Sequence, residues 1–281
     1  MAGVRDIRRR IRSVRNMQQI TKAMKMVSAA KLRKAQQKLN AARPYAHQLQ
    51  GVLERLAQAP VDTIHPLLIK RPVQKVVYVV ITSDRGLCGG YNANLIRKTA
   101  GLIAETPQDV KLVTVGRKGR DFFRRGKIEF LAEFVALGDE PSYSQAKEIA
   151  QEVMRIYEQG EADEVYLMYT EFVSAINSRP TQVKLLPIEK PEGKQSKQYI
   201  FEPSPDEILT SLLPKYVETQ VFRSILEGKA SEQGARMSAM SSATDNAKDM
   251  IDRLSLAMNR ARQAAITKEI SEIVGGAAAL D

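Results

Sequence analysis

The densest chemistry in the chain lies in ten residues, Ser83 to Asn92, which read SDRGLCGGYN. Three glycines between an apolar run and a helical pattern can bring backbone N–H groups against a phosphate, with the positive end of the following helix favouring the anion. The spacing does not suit that use. It is not G-x-G-x-x-G, and G-x-x-x-x-G-K-[ST] occurs nowhere in the chain. The same glycines serve a tight strand-to-helix turn, where only glycine adopts the required backbone angles freely. Cys88, in this turn, is the only cysteine. No intrachain disulfide can form, which fits a reducing compartment.

Other reactive side chains are scattered. His47 and His65 fall before the first strand-like run, and no H-E-x-x-H, C-x-x-C or G-x-S-x-G is present. Asp139 and Glu140 adjoin in a turn-like stretch, where solvation accounts for them. The chain is therefore expected to carry no catalytic residue, no metal site and no cofactor.

The elements around these residues are more informative. Apolar positions run from Val4 through Ile7, Ile11, Val14, Met17, Ile20, Met24 and Val27. They resume at Leu32 and continue through Ala35, Leu39, Ala42, Ala46, Leu49, Leu53 and Leu56. Near the other end Met237, Met240, Thr244, Ala247, Ile251, Leu254, Met258, Ala261 and Ala265 repeat the spacing. Steps of three and four make a stripe that another helix covers along its length. At 1.5 Å per residue a helix of ~50 residues is about 75 Å long, so two such helices most simply bury their stripes on each other. Pro44 falls inside the first and is expected to kink it.

Between the helices the pattern changes. Lys75–Thr82 is a β-branched run typical of a strand buried on both faces. It is followed by a helix at about 93–104, a strand at 110–115, a short basic helix at 117–125 and a strand near 128–134. A helix at 143–158, a strand at 164–172 and an antiparallel edge segment at 181–188 complete the series. Residues 61–74 read as a connector and 189–206 as a linker, with Asp206 as N-cap of the last helix. The expected fold class is α/β: a long antiparallel coiled coil of N- and C-terminal helices plus a Rossmann-like central α/β domain. The expected boundaries are 1–60, 75–190 and 207–281.

Charge is concentrated at the start. Residues 1–57 hold 14 Lys and Arg against Asp6 and Glu54, which accounts for the chain's net charge of +11. So basic a helix seeks an acidic partner, nucleic acid or anionic lipid. Basic zippers separate basic and heptad segments, whereas here they share the same turns. Base-stacking aromatics are also missing, since Tyr45 alone stands in the first fifty residues. No apolar run approaches the ~20 residues of a membrane span. At the far end the stripe moves to Ile266, Ile270, Ile273, Ala277 and Leu280, and the closing GGAAAL is small and apolar. Such a terminus is expected to sit in a socket supplied by another protein.

The chain resembles, over essentially its whole length, the gamma subunits of the F-type rotary ATP synthase. The likeness rests on IRRRIRSVRNMQQITKAMKMVSAAKLRKAQ (Ile7 to Gln36), SDRGLCGGYN, SEQGARMSAMSSATDNA (Ser231 to Ala247) and RQAAITKEISEIVGGAAAL (Arg262 to Leu280). It implies a non-catalytic central rotor stalk that couples ion-driven rotation to ATP synthesis or hydrolysis at beta subunits. Its implied partners are three alpha and three beta subunits, the epsilon subunit and the c-subunit ring, with no nucleic acid. The implied location is the cytoplasmic face of a bacterial plasma membrane, held peripherally through the complex. By resemblance Arg262, Gln263 and Thr267 contact a beta-subunit loop, and Met24 lies at the helix pairing near Arg236 and Glu269. Tyr199 and Glu202 lie at the foot on the c ring. The chloroplast insertion with its cysteine pair is missing, so thiol regulation is not expected, and the start MAGVRDIRRR favours a bacterial over a mitochondrial chain. The alternative is a coiled-coil adaptor that binds nucleic acid or another acidic partner. The closing apolar motif argues against it.

Overall fold

The computed structural model describes residues 4–56, 65–126, 128–189 and 204–278. The elements in chain order are α1 (Val4–Leu56), β1 (Lys75–Ile81), α2 (Tyr91–Glu105), β2 (Asp109–Val115) and α3 (Arg117–Phe123). After them come β3 (Glu129–Phe134), α4 (Tyr143–Glu158), β4 (Glu164–Phe172), β5 (Ser178–Leu186) and α5 (Pro205–Ala278). The chain forms two compact units, one of residues 1–28 with 237–281 and one of residues 29–236.

The larger unit is built on a five-stranded sheet of order β3-β2-β1-β4-β5. Its first four strands are parallel and β5 runs antiparallel at the edge. The unbroken apolar run of β1 is explained by burial on both sides. Val77, Val79 and Ile81 point into one core with Ile149, Val153 and Tyr157 of α4, Leu53 and Leu56 of α1, and Leu213, Val217 and Val221 of α5. Val76, Tyr78 and Val80 point into the other with Leu95 and Ile96 of α2 and Phe123 of α3. Each such side chain contributes roughly 1.5–3 kcal/mol by leaving water. The connector expected before β1 contains a 3₁₀ turn, Pro66–Leu68, capped by His65 Nδ1, which accepts from the Leu67 amide at 3.2 Å. Leu67 plugs the first core. That gives His65 a structural role.

Two further expectations are corrected here. The N-cap of α5 is Ser204, whose Oγ accepts from the Glu207 amide at 3.2 Å, with Pro205 in the first helical position, where its missing N–H costs nothing. Asp206 already lies inside the helix. Asp139 and Glu140 are not simply solvated. Lys31 pairs with Asp139 at 2.8 Å, and Lys34 and Lys38 pair with Glu140 at 3.2 and 3.0 Å. The three lysines share one face of α1 through their three- and four-residue steps.

In the smaller unit the two helical segments run antiparallel, as two hydrogen bonds show: Thr244 to Thr21 at 2.8 Å and Lys25 to Ser241 at 2.9 Å. The buried seam of the first segment is Ile7, Ile11, Thr21 and Ser28, with Val14, Gln18 and Met24 half-buried. Met17, Ile20 and Val27, expected in the seam, are 57, 56 and 52% exposed. The heptad frame is kept by polar residues here, and the apolar ones stand outside it. The opposing stripe is seated as expected as far as Ala261, with Met240 and Ala247 buried and Met237, Thr244, Ile251, Leu254, Met258 and Ala261 half-buried, whereas Ala265, its last expected member, is exposed.

Candidate functional site

In a parallel sheet of this order the crevice at the carboxyl ends of the strands opens where successive crossovers change face, between β1 and β4. A diffusible ligand would occupy that place. Here a stretch of α5, Gly228 to Arg236, occupies it. Ser231 Oγ donates to the Thr170 carbonyl of β4 at 3.1 Å. Gly228 lies over β1 and α2: a Cβ added there would stand 3.2 Å from the Tyr91 hydroxyl and 3.6 Å from Ile81. At Gly234 an added Cβ would come within 2.8 Å of the Ala175 carbonyl. The small residues in this stretch are therefore what allow the helix to lie directly on the ends of the strands.

A buried ionic cluster locks the seat. Glu232 accepts from Lys229 at 3.0 Å and from Arg236 at 2.8 Å, and all three side chains are nearly excluded from solvent. Arg236 also donates to the Gly86 carbonyl at 3.2 Å. Taking these charges out of water is tolerated because each finds a charge-assisted partner. Burial pushes the Cys88 thiol up, and the fully buried Tyr91 hydroxyl is held far above its usual range by burial and by Glu232. Neither ionises near neutral pH.

The glycine-rich turn is the other half of this seat. Leu87 and Gly89 adopt φ of 61 and 55°, which folds the turn tightly. Asn92 accepts from the Ser83 amide at 3.1 Å, and Asp84 accepts from the amides of Arg117 and Ala136 at 3.0 and 3.2 Å. The polar groups of the turn bind one another and α5. The phosphate reading of SDRGLCGGYN therefore gives way to the turn reading, because the chain itself fills the crevice. Among the described residues no cluster of His, Cys, Asp and Glu could hold a metal ion.

Of the residues singled out by resemblance, Arg236 lies in this seat and its contacts are internal. Met24 is half-buried in the paired helices. Glu269 is exposed and some 25 residues along α5 from the Thr21–Thr244 contact, about 37 Å at 1.5 Å per residue. The structure does not bring Met24 and Glu269 together. Arg262, Gln263 and Thr267 are all exposed, with Thr267 Oγ1 donating back to the Gln263 carbonyl at 3.0 Å. Tyr199 and Glu202 lie outside the described residues. Sequence reasoning missed Glu232 and Lys229. Their signal was the i, i+3 and i, i+4 charge spacing with Arg236 inside a run of small residues, a pattern that burial converts from surface pairing into a latch.

The family model described as ATP synthase matches residues 3–280. The ATP synthase gamma chain of Desulfitobacterium hafniense is 73% identical over 281 residues, covering 100% of both chains. That of Heliobacterium modesticaldum is 60% identical over 290 residues, again covering 100% of both. Among solved structures, a chain of the Tetrahymena thermophila mitochondrial ATP synthase central stalk and c-ring is 27% identical with a TM-score of 0.63, covering 80% of this chain and 99% of that one. A chain of the Euglena gracilis mitochondrial enzyme shares the fold with a TM-score of 0.75 at 20% identity, covering 99% of this chain and 94% of that one. The chain belongs to the ATP synthase gamma chain family, the non-catalytic central stalk subunits of these rotary enzymes.

Proposed function

We propose that this chain turns inside a ring of three alpha and three beta subunits, with the epsilon subunit and the c-subunit ring at its foot. Ion flow through a bacterial plasma membrane drives the rotation. The chain is held peripherally on the cytoplasmic face, and among the described residues no helix is long and apolar enough to cross a membrane. The observation that carries this reading is full-length identity of 73% to a gamma chain. The physical features suit it. The exposed basic side chains of the paired helices attract acidic partners without fixed bidentate locks. Ile266, Ile270 and Ile273, 48, 56 and 71% exposed, suit an apolar sleeve. Arg262, Gln263 and Thr267 present polar groups beside that apolar end to a beta-subunit loop, while Met24 lies at the pairing of the two helices, where a charge would impair coupling, and Glu269 stands exposed near the apolar end. Arg236 acts through the seat, fixing α5 to the glycine-rich turn. Tyr199 and Glu202 meet the c ring.

The test is an affinity pull-down of the chain from its native membranes, with subunit stoichiometry and ATPase activity. The expected result is one copy with three each of two larger subunits and ATP-driven ion pumping in resealed vesicles. Recovery alone, or with nucleic acid and no ATPase, refutes the reading.

A further inference from the structure

We propose that a cleft between α1, α4 and α5 in the larger unit binds a small amphipathic anion, a carboxylate carried on an apolar chain or ring. The cleft has a volume of about 520 Å³, within the ~300–1,000 Å³ of small-molecule sites. It exists because of side-chain size. Ala42 and Ala46 follow Leu39 in the buried stripe of α1, and where they face α5 too little side chain is present to close the gap. Phe222 and Tyr143 form an aromatic wall, their rings edge to face with centroids 5.5 Å apart.

The polar groups define the ligand. Arg43 and Arg223 line the cleft, and no carboxylate does among the described residues. Arg223 is anchored through Nε to Glu227 at 2.8 Å, which aims its guanidinium. Among the described residues no carboxylate pairs with Arg43. The Tyr143 hydroxyl is already committed, donating to Glu218 at 2.6 Å, while Lys215 balances that carboxylate at 3.1 Å. An apolar cleft lined by Arg43, by a second guanidinium held on Glu227 and by no acid among its lining residues selects an apolar body with one anionic end. Arginine adds planar, two-point recognition of a carboxylate. Helices supply the walls and no strand edge is offered, so an extended peptide finds no main-chain pairing there. A bare inorganic anion would leave the aromatic wall unused.

The experiment is calorimetric titration of dodecanoate, below its micelle concentration, into the isolated chain and into the assembled complex, with 1-dodecanol and sodium sulfate as controls. The expected result is one saturable site per chain for dodecanoate in both preparations, with neither control binding. Arg43→Glu, a change at an exposed position, should weaken binding at least 10-fold. Ala46→Leu, which fills the cleft, should abolish it, with circular dichroism reporting that each variant is folded. Equal binding by Arg43→Glu and the parent chain, equal binding of 1-dodecanol, or no saturable binding overturns the proposal. Binding by the isolated chain alone also overturns it, since a partner subunit would then be the occupant.

Discussion

Replacing Glu232 by alanine removes the carboxylate that, among the described residues, Lys229 and Arg236 share. The structure sets the size of the effect. The Glu232 side chain is 5% exposed, and those of Lys229 and Arg236 are 13 and 10% exposed. Neither cation can recover full hydration without leaving the seat. Removing one partner from such a buried group costs about 3–5 kcal/mol, largely the penalty of the stranded charges. Arg236 retains its bond to the Gly86 carbonyl, so the lower end, about 3 kcal/mol, is expected. For a cooperative unit of this size that is a fall of roughly 6–12 °C in Tm. The assay is urea unfolding of the parent chain, Glu232→Ala, Arg236→Ala and the double variant, followed by circular dichroism. The double variant should lose less than the sum of the singles by ~1–3 kcal/mol, the mark of a shared contact. A cost below about 0.5 kcal/mol for Glu232→Ala, the level of an ordinary surface substitution, would refute the latch. So would strict additivity.

Four other outcomes are expected. Gly234→Ala should destabilise despite the higher helix propensity of alanine, because a Cβ within 2.8 Å of the Ala175 carbonyl must displace backbone; thermal melts should show a loss of about 1–3 kcal/mol. Thr21→Val alone should cost about 1 kcal/mol, as the Thr244 hydroxyl loses its cross-helix partner, while Thr21→Val with Thr244→Val should fall closer to neutral in the same melts. Hydrogen bonds and charge from Lys31 hold the Asp139 carboxyl below its ordinary value, and Lys38 and Lys34 do the same for Glu140. Their folded values are depressed, so this stabilisation is present above pH ~4–4.5 and is lost as pH falls through the depressed values; Asp139→Asn with Glu140→Gln should flatten the acid limb of a stability–pH curve. Changing Ile266, Ile270 and Ile273 together to Glu should leave the melting of the isolated chain within about 0.5 kcal/mol, since all three are exposed. The same variant should impair ATP-driven ion pumping by the assembled complex, read as a pH change in resealed vesicles.

Much of the fold is legible in the sequence wherever local pattern and tertiary burial agree. The run KVVYVVI announces a strand buried on both faces, and α4 and β4 occupy the spans that their periodicity indicates. The first helix shows where that agreement ends. Met17, Ile20 and Val27 carry a plausible apolar stripe, yet the buried frame passes through Thr21 and Ser28, with Gln18 half-buried beside them. The opposing segment offers Thr244, and its hydrogen bond to Thr21 makes a hydroxyl the better seam residue there. A one-chain pattern cannot reveal the chemistry of the opposing face. The seat is hidden for a similar reason. Glu232 and Gly234 take their roles from Arg236, Gly86 and Ala175, and Gly86 and Ala175 are remote in sequence. The glycine-rich turn was conspicuous, but its partner was a helix more than a hundred residues away.

The filled crevice changes the status of the larger unit. Open α/β sheets usually exchange their ligand with solvent and change shape as it comes and goes. In this chain the occupant is covalently attached, so its effective concentration is fixed by the polypeptide and does not depend on any metabolite. The sheet is held permanently in the equivalent of a bound state. Ser231 and Arg236 make contacts that elsewhere would belong to a diffusible molecule. A receptor whose ligand is part of its own chain is a joint, with no equilibrium that nucleotide levels could shift.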